Sequence, residues 1–262
     1  MYYLKKTPPN GIKINDSLFY DQSEVTNVDW REYMYWVGRV FGTNSEEFKS
    51  TTVDSTVWRK FNCLTEYEEY FHRHPVYNNH PVVGISQKQA NSYSQWRSDR
   101  VYEMYLIEKD VIKINYEQNR ACYFSIENYW AGKYMNIKPD SNYKYYPHYR
   151  LPSVSEYKES KKYLNSKFHD IHCEIQCGIN PCLGDSLIVS NIIRKVYSCD
   201  FEKKFIYNLE GNVREWTNEK DVAVGGGWYD SKEAILSKDT FHLETQDAWT
   251  GFRNVCEWKE WK

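Results

Sequence analysis

Long apolar runs are missing from this chain. No stretch of its 262 residues approaches the roughly 20 apolar residues that a membrane helix needs, so no transmembrane segment is expected. A surplus of charge is missing too. Lys and Arg total 34 against 36 Asp and Glu, a net charge of −2 that points to neither nucleic acid nor an anionic membrane as partner. The N-terminus, Met1 to Pro9, carries no apolar signal core and no lipobox. The expectation is a cytoplasmic protein or, if a leader has been removed, an exported or periplasmic one with membrane attachment only by that route. Seven cysteines is an odd number, which excludes a fully paired disulfide framework within one chain, and most are expected to be reduced and partly buried. There is no serine–histidine–acid order, no paired-carboxylate motif and no phosphate loop. Gly225-Gly226-Gly227 precedes neither a lysine nor a helix-opening pattern, and close packing of backbone beneath Trp228 is the simpler use of it. No repeat, low-complexity tract or linker interrupts the chain, and residues 1–262 read as a single domain.

What the chain has instead is aromatic rings. Tyrosine alone numbers 24 and tryptophan 10, while the mean hydropathy is −0.79. The core must then be built from rings, and the polar edges of Tyr and Trp need partners when buried. That suits an irregular, loop-rich fold with a polar cleft better than a helix bundle.

In chain order, Pro8-Pro9-Asn10-Gly11 turns into short strands in which Ile12 and Ile14 alternate with polar residues. Glu24-Val25-Thr26-Asn27 follows, and Thr26 with Asp29 makes a capping box for a helix over 26–41, with Trp30, Tyr33, Met34, Val37 and Phe41 at helical spacing. Residues 43–75 look polar and irregular. His80 to Ser86 reads as a short buried strand. Ser86 and Gln89 cap a second helix over 86–107, whose inner face is expected to carry Ala90, Tyr93, Arg97, Val101 and Met104. Arg150-Leu151-Pro152-Ser153 leads into a short helix, 153–162, capped by Ser153 and Glu156. Residues 163–206 are the least regular region.

The stretch Tyr207-Asn208-Leu209-Glu210-Gly211-Asn212-Val213-Arg214-Glu215-Trp216 crowds carbonyl, carboxamide and carboxylate oxygens into one glycine-bearing loop, the donor set that hard cations such as calcium take. A plain corner between two strands is the competing reading. With Gly225-Gly226-Gly227-Trp228 this stretch resembles the signature of the formylglycine-generating enzyme (sulfatase-modifying factor) family, G-N-V-x-E-W and then R-G-G-S-W. Glu24 to Asn27, the Pro81–Trp96 run, Arg150 to Tyr157 and the closing Gly251-Phe252-Arg253 resemble further family motifs in the same order.

The resemblance implies an α+β formylglycine-generating-enzyme-like complex fold, related to the C-type lectin fold, with little regular secondary structure and a small twisted antiparallel sheet near the C-terminus. It also implies one structural calcium held by the Asn208 side chain, the Gly211 and Val213 carbonyls and the Glu215 carboxylate. The chemistry of the family is another matter. Its copper is held by two thiolates, the ligands soft cuprous copper prefers. Here the corresponding positions are Asp230 and, near it, Ile235, and no cysteine occurs from Tyr229 to Gly251. The run's arginine and serine are Val224 and Gly227, and the tryptophan of G-N-x-W-E-W is Arg214. Copper is therefore not expected as a cofactor, and no catalytic residue is assigned.

The sequence therefore suggests a non-catalytic member, a pseudoenzyme that binds a protein, peptide or glycan or serves as a structural component. Region 43–80 resembles the gliding-motility and type IX secretion lipoproteins of Bacteroidetes, which share this fold. The alternative is a metal-dependent oxidoreductase of the same superfamily with a non-standard site. The iron-dependent carbon–sulfur branch needs an additional domain for which this chain has no room, and residues 229–249 lack the asparagine-rich pattern of the hypervariable ligand-binding members. Two metal readings remain beside these. His72 and His74 could chelate from one face of a strand, and Cys173, Cys177, Cys182 and Cys199 with His169 and His172 could hold zinc, pair as a disulfide or stay free; their spacing fits no compact zinc pattern.

Overall fold

The computed structural model describes residues 6–167, 175, 177, 192–198 and 205–262. The Cys173, Cys182 and Cys199 members of the cysteine cluster, with His169 and His172, lie outside them.

Both capping boxes form. Thr26 Oγ1 accepts from the Asp29 backbone N–H while the Asp29 carboxylate accepts from that of Thr26, starting a helix over Asn27–Phe41. Ser86 and Gln89 do the same for helix Gln87–Glu108. The third helix runs over Val154–Lys167, five residues beyond the expected end. Its first turn is closed reciprocally, with Ser153 N–H to Glu156 at 2.7 Å and Glu156 N–H to Ser153 Oγ at 3.1 Å.

The inward face of the long helix is shifted from the expected one. Ala90 and Tyr93 are buried and Arg97 and Val101 half-buried, but Met104 is 53% exposed, and Ser94, Ser98, Tyr102, Glu103 and Leu106 are buried instead. Small side chains explain it. Ser98 Oγ accepts from the Tyr149 backbone N–H at 2.8 Å, so the serine stripe lets a strand approach the helix closely, which a methionine would prevent.

The described strands form two four-stranded sheets rather than one small one. In the first, β1 (Gly11–Lys13), β2 (Leu18–Asp21), β8 (Val255–Glu260) and β3 (Tyr145–Arg150) lie in that order, all antiparallel, so the C-terminal strand is inserted between the N-terminal hairpin and mid-chain β3. In the second the order is β6 (Phe241–His242), β5 (Val222–Val224), β4 (Arg214–Trp216), β7 (Thr250–Gly251). Its β4–β7 pair is parallel, a departure from the antiparallel expectation, because the 225–249 excursion returns the chain beside β4 in the same direction.

His80 to Ile85 is buried as expected, with Ser86 half-buried, but the segment is not a strand. Pro81 makes one isolated bridge to Thr26, and Gly84, at φ +69°, bends the chain under Asp54, whose N–H it accepts at 2.8 Å. Residues 43–75 are more ordered than their composition suggested. Short helical turns at Ser55–Lys60, Asn62–Leu64 and Glu66–Tyr70 bury Trp58, Phe61, Leu64, Tyr67 and Phe71 against Val213, Trp228 and Trp249. The ring-based core is real: Trp30, Tyr93 and Phe252 pack together between the two long helices, and Tyr102, Phe124, Tyr129 and Tyr134 form a second aromatic layer.

Candidate functional site

The 207–216 loop turns through three left-handed residues, Asn208, Gly211 and Asn212, at φ +48°, +82° and +59°. The turn is closed by Gly211 N–H to Gly225 O at 3.0 Å and Trp228 N–H to Asn212 O at 2.8 Å, so the loop and the glycine run are one unit. Glu215, on β4, points into the protein and is wholly buried.

At the centre is Arg253, the arginine of Gly251-Phe252-Arg253, with no exposed surface. Its Nε donates to both Glu215 oxygens at 2.8 and 2.7 Å, and its Nη2 to the Tyr207 carbonyl at 2.8 Å. Glu24 lies 3.9 Å from Nη2 and is buried as well. Its oxygens accept from Asn212 Nδ2 at 2.8 Å and Asn208 Nδ2 at 3.3 Å. Three motifs far apart in sequence thus meet at one guanidinium. Burial pushes the Glu215 carboxyl upward against the pull of Arg253, with Glu24 and Asp21 adding to the rise, and Glu24 is raised by burial too. Asp21, beside them, is held by Arg97 and by the Asn254 N–H at 3.1 Å.

Two buried carboxyls therefore share one guanidinium, and burial favours the neutral form of each against its pull. Of the four residues expected to hold calcium, the Asn208 and Glu215 side chains both reach this hub, Gly211 forms the turn of the loop, and the Val213 side chain is buried against Trp228. It is the amide nitrogen of Asn208 that faces Glu24, while its Oδ1 accepts from Ser198 Oγ at 3.3 Å. Both Glu215 oxygens are engaged by Arg253, so a cation there would share that carboxylate with the guanidinium. Sequence reasoning missed Glu24 and Arg253 as a pair. The available signal was their charge, since an acid in E-V-T-N and a base in G-F-R are costly to bury unless they find each other.

The other half of the stretch is organised by a second ion pair. Arg214 binds Asp230 through both Nε, at 2.7 Å, and Nη2, and lies 3.7 Å from Asp247. Arg214 and Asp230, two positions where the sequence suggested a departure from the resembled pattern, are bonded to each other. Asp230 also accepts from the Gly227 N–H at 2.8 Å. Ile235 is buried against Gly226. Gly227 has no space for a side chain, because a Cβ would stand 2.6 Å from the Trp249 carbonyl. Trp228, fully buried, donates from Nε1 to the Ala248 carbonyl at 3.1 Å.

The histidine pair is not on a strand. His72 Nδ1 lies 3.2 Å from Asn27 Oδ1, and His74 caps a short turn through Val76 N–H at 3.3 Å. No group of three or more His, Cys, Asp or Glu able to hold a metal occurs among the described residues. One cysteine departs from the reduced state expected of most: Cys63 is disulfide-bonded. Cys256 is buried and reduced.

His80 is 2% exposed, and neither ring nitrogen has a hydrogen-bond partner among the described residues. Burial, then the charge of Lys195, lowers it from 6.5 to about 4. The unfolded chain therefore binds more protons between those values, and stability falls as pH drops through that window. Between pH 7 and pH 5 the wild type should lose about 2 kcal/mol more than His80→Leu, read from urea midpoints. Equal losses in the two proteins would show that His80 is not buried neutral.

The chain belongs to the sulfatase-modifying factor enzyme 1-like domain family, whose model matches residues 3–162. Among solved structures, one described as CarF is similar with a TM-score of 0.44 at 13% identity, covering 94% of this chain and 92% of its own. PvdO from Pseudomonas aeruginosa gives a TM-score of 0.38 at 14% identity over 69% of this chain and 63% of its own. No curated protein matches the sequence. No described helix is long and apolar enough to cross a membrane.

Proposed function

We propose that this protein is a non-catalytic formylglycine-generating-enzyme-like protein, a single domain over 1–262 with a fold related to the C-type lectins, that binds a protein, peptide or glycan or acts as a structural component. A link to gliding motility or type IX secretion in Bacteroidetes belongs to the same proposal. The observation that carries it is the Arg214–Asp230 pair. Where the family pattern has a tryptophan and a thiolate, this chain has a guanidinium bound to a carboxylate, and the second thiolate position is filled by a packed aliphatic side chain. A carboxylate held by arginine is a hard, neutralised donor, unsuited to cuprous copper.

Calcium at Asn208, Gly211, Val213 and Glu215 is part of the proposal, as a structural ion that would take the Glu215 carboxylate in competition with Arg253, with the Asn208 amide turned to present its oxygen, and would brace the loop against the glycine run. Protein expressed with calcium, copper and iron supplied should retain calcium and neither redox metal in stoichiometric amount. Chelation should then lower the melting temperature by about 5–10 °C, the shift expected when an ion near a hundredfold above its Kd is withdrawn. Unchanged melting on chelation removes the calcium. Stoichiometric copper or iron favours instead the alternative, a metal-dependent oxidoreductase with a non-standard site.

A further inference from the structure

Beside the Arg214–Asp230 pair three aromatic rings close on one another. Tyr229 and Trp249 stand 4.9 Å apart between centroids, Phe61 and Tyr229 5.1 Å, and Phe61 and Trp249 6.1 Å. Phe61 and Trp249 are almost fully buried, whereas Tyr229 is 39% exposed, so the triangle is a fixed floor with one open wall. Trp228 backs it, 5.3 Å from Phe61 and locked by its bond to Ala248. Over this floor lies the ammonium of exposed Lys60. Its Nζ is 4.4 Å from the Trp249 centroid, 5.1 Å from Tyr229 and 6.0 Å from Phe61. An ammonium within about 6 Å of a ring face is attracted by the ring quadrupole.

The charge behind the rings is paired. Arg214, whose guanidinium is 5.7 Å from the Trp249 ring, is set against both Asp230 and Asp247. These carboxylates offset the guanidinium, so the nearest cation behind the floor is a matched one. Lys60 ends the short Ser55–Lys60 turn on a flexible four-carbon stem and is exposed, so its ammonium can lift into solvent.

We propose that Phe61, Tyr229 and Trp249 form a binding site for an alkylammonium group, with Lys60 as a tethered occupant that a ligand displaces. The proposal rests on the reading that this half of the molecule binds rather than catalyses, and it adds the class of ligand. The shared chemistry is a primary or methylated ammonium, carried either by a small molecule or by a lysine side chain of a peptide.

The test is a tryptophan-fluorescence titration of the full chain. Choline should quench saturably, while its uncharged carbon analogue 3,3-dimethylbutan-1-ol should not. Lys60→Met removes the competitor and should tighten choline binding about two- to fivefold, the exchange of one exposed cation–ring contact. Tyr229→Ala, at the open wall where folding is least at risk, should weaken it severalfold with an unchanged circular dichroism spectrum. A lysine peptide and its trimethylated form make the second arm. Binding of choline alone assigns a small-molecule source, and tighter binding of a peptide assigns a protein source. Equal binding of choline and the alcohol overturns the ammonium assignment while leaving a binding surface in place. No response of Lys60→Met to any ammonium overturns the site itself.

Discussion

Replacing Arg253 with methionine should cost about 3–5 kcal/mol, the price of breaking a buried ion pair from one side. In a chain of this length each kcal/mol moves the melting temperature by about 2–4 °C, so a fall of about 6–20 °C is expected. Methionine replaces the volume of the guanidinium without its charge. Glu215 and Glu24 are then left buried with no cation, and the Tyr207 carbonyl loses its donor. Adding Glu215→Gln should recover part of the loss, because a neutral amide carries no uncompensated charge. The deficit of the single variant should also shrink from pH 7 to pH 5. Both carboxyls are raised by burial even in the wild type, and without Arg253 they rise further, so acid neutralises them in the folded variant. Thermal melts of the three proteins at both pH values make the measurement. A single variant that melts within a couple of degrees of wild type would mean that the hub does not hold the fold.

Gly226→Ala should be nearly as damaging, at about 2–5 kcal/mol. Gly226 sits at φ +72°, where any side chain costs about 1–2 kcal/mol, and its Cβ would collide with Ile235, adding about 1–3 kcal/mol of overpacking. Ile235→Ala opens the space the new methyl needs. The double variant should therefore be more stable than the sum of the two single losses by about 1–3 kcal/mol, a coupling readable from urea unfolding of the four proteins. Strict additivity would show that the glycine is required for its backbone alone. The test matters because Ile235 lies near the place where the family pattern has a thiolate, and coupling would show that volume to be filled by packing.

Much of this was legible from residue spacing. Capping boxes are local, and Thr26 with Asp29, Ser86 with Gln89 and Ser153 with Glu156 each specify a helix start without help from the rest of the chain. Register across the long helix was not local. Met104 and Tyr102 are near neighbours in sequence, and only the approach of β3 to the Ser94–Ser98 stripe decides which of them is buried. The parallel β4–β7 pair depends on an excursion whose path no local pattern encodes. Residues 43–75 hid their core rings among charges, because turns of three to six residues are too short to show a period.

The site divided in the same way. Asn208 and Glu215 were readable as oxygen donors in one loop. Their partners Glu24 and Arg253 lie 184 residues from Asn208 and 38 from Glu215 along the chain, a juxtaposition made only by folding. Arg214 and Asp230 read separately as two losses from a family pattern, and together they are one ion pair. Lys60, over the rings of Phe61, Tyr229 and Trp249, gave no sequence signal at all, since a lysine at the end of a polar turn is ordinarily a solvated one.

The proposal that this family member is non-catalytic, with the Arg214–Asp230 pair and Ile235 where copper ligands are expected, is tested most directly on a substrate. The purified protein, loaded with cuprous copper under reducing conditions and then exposed to oxygen, would be incubated with a cysteine peptide from a sulfatase active site and the peptide examined by mass spectrometry. The account predicts that the cysteine keeps its sulfur, with no aldehyde above the protein-free control. Copper-dependent conversion of that cysteine to formylglycine over repeated turnovers would contradict it.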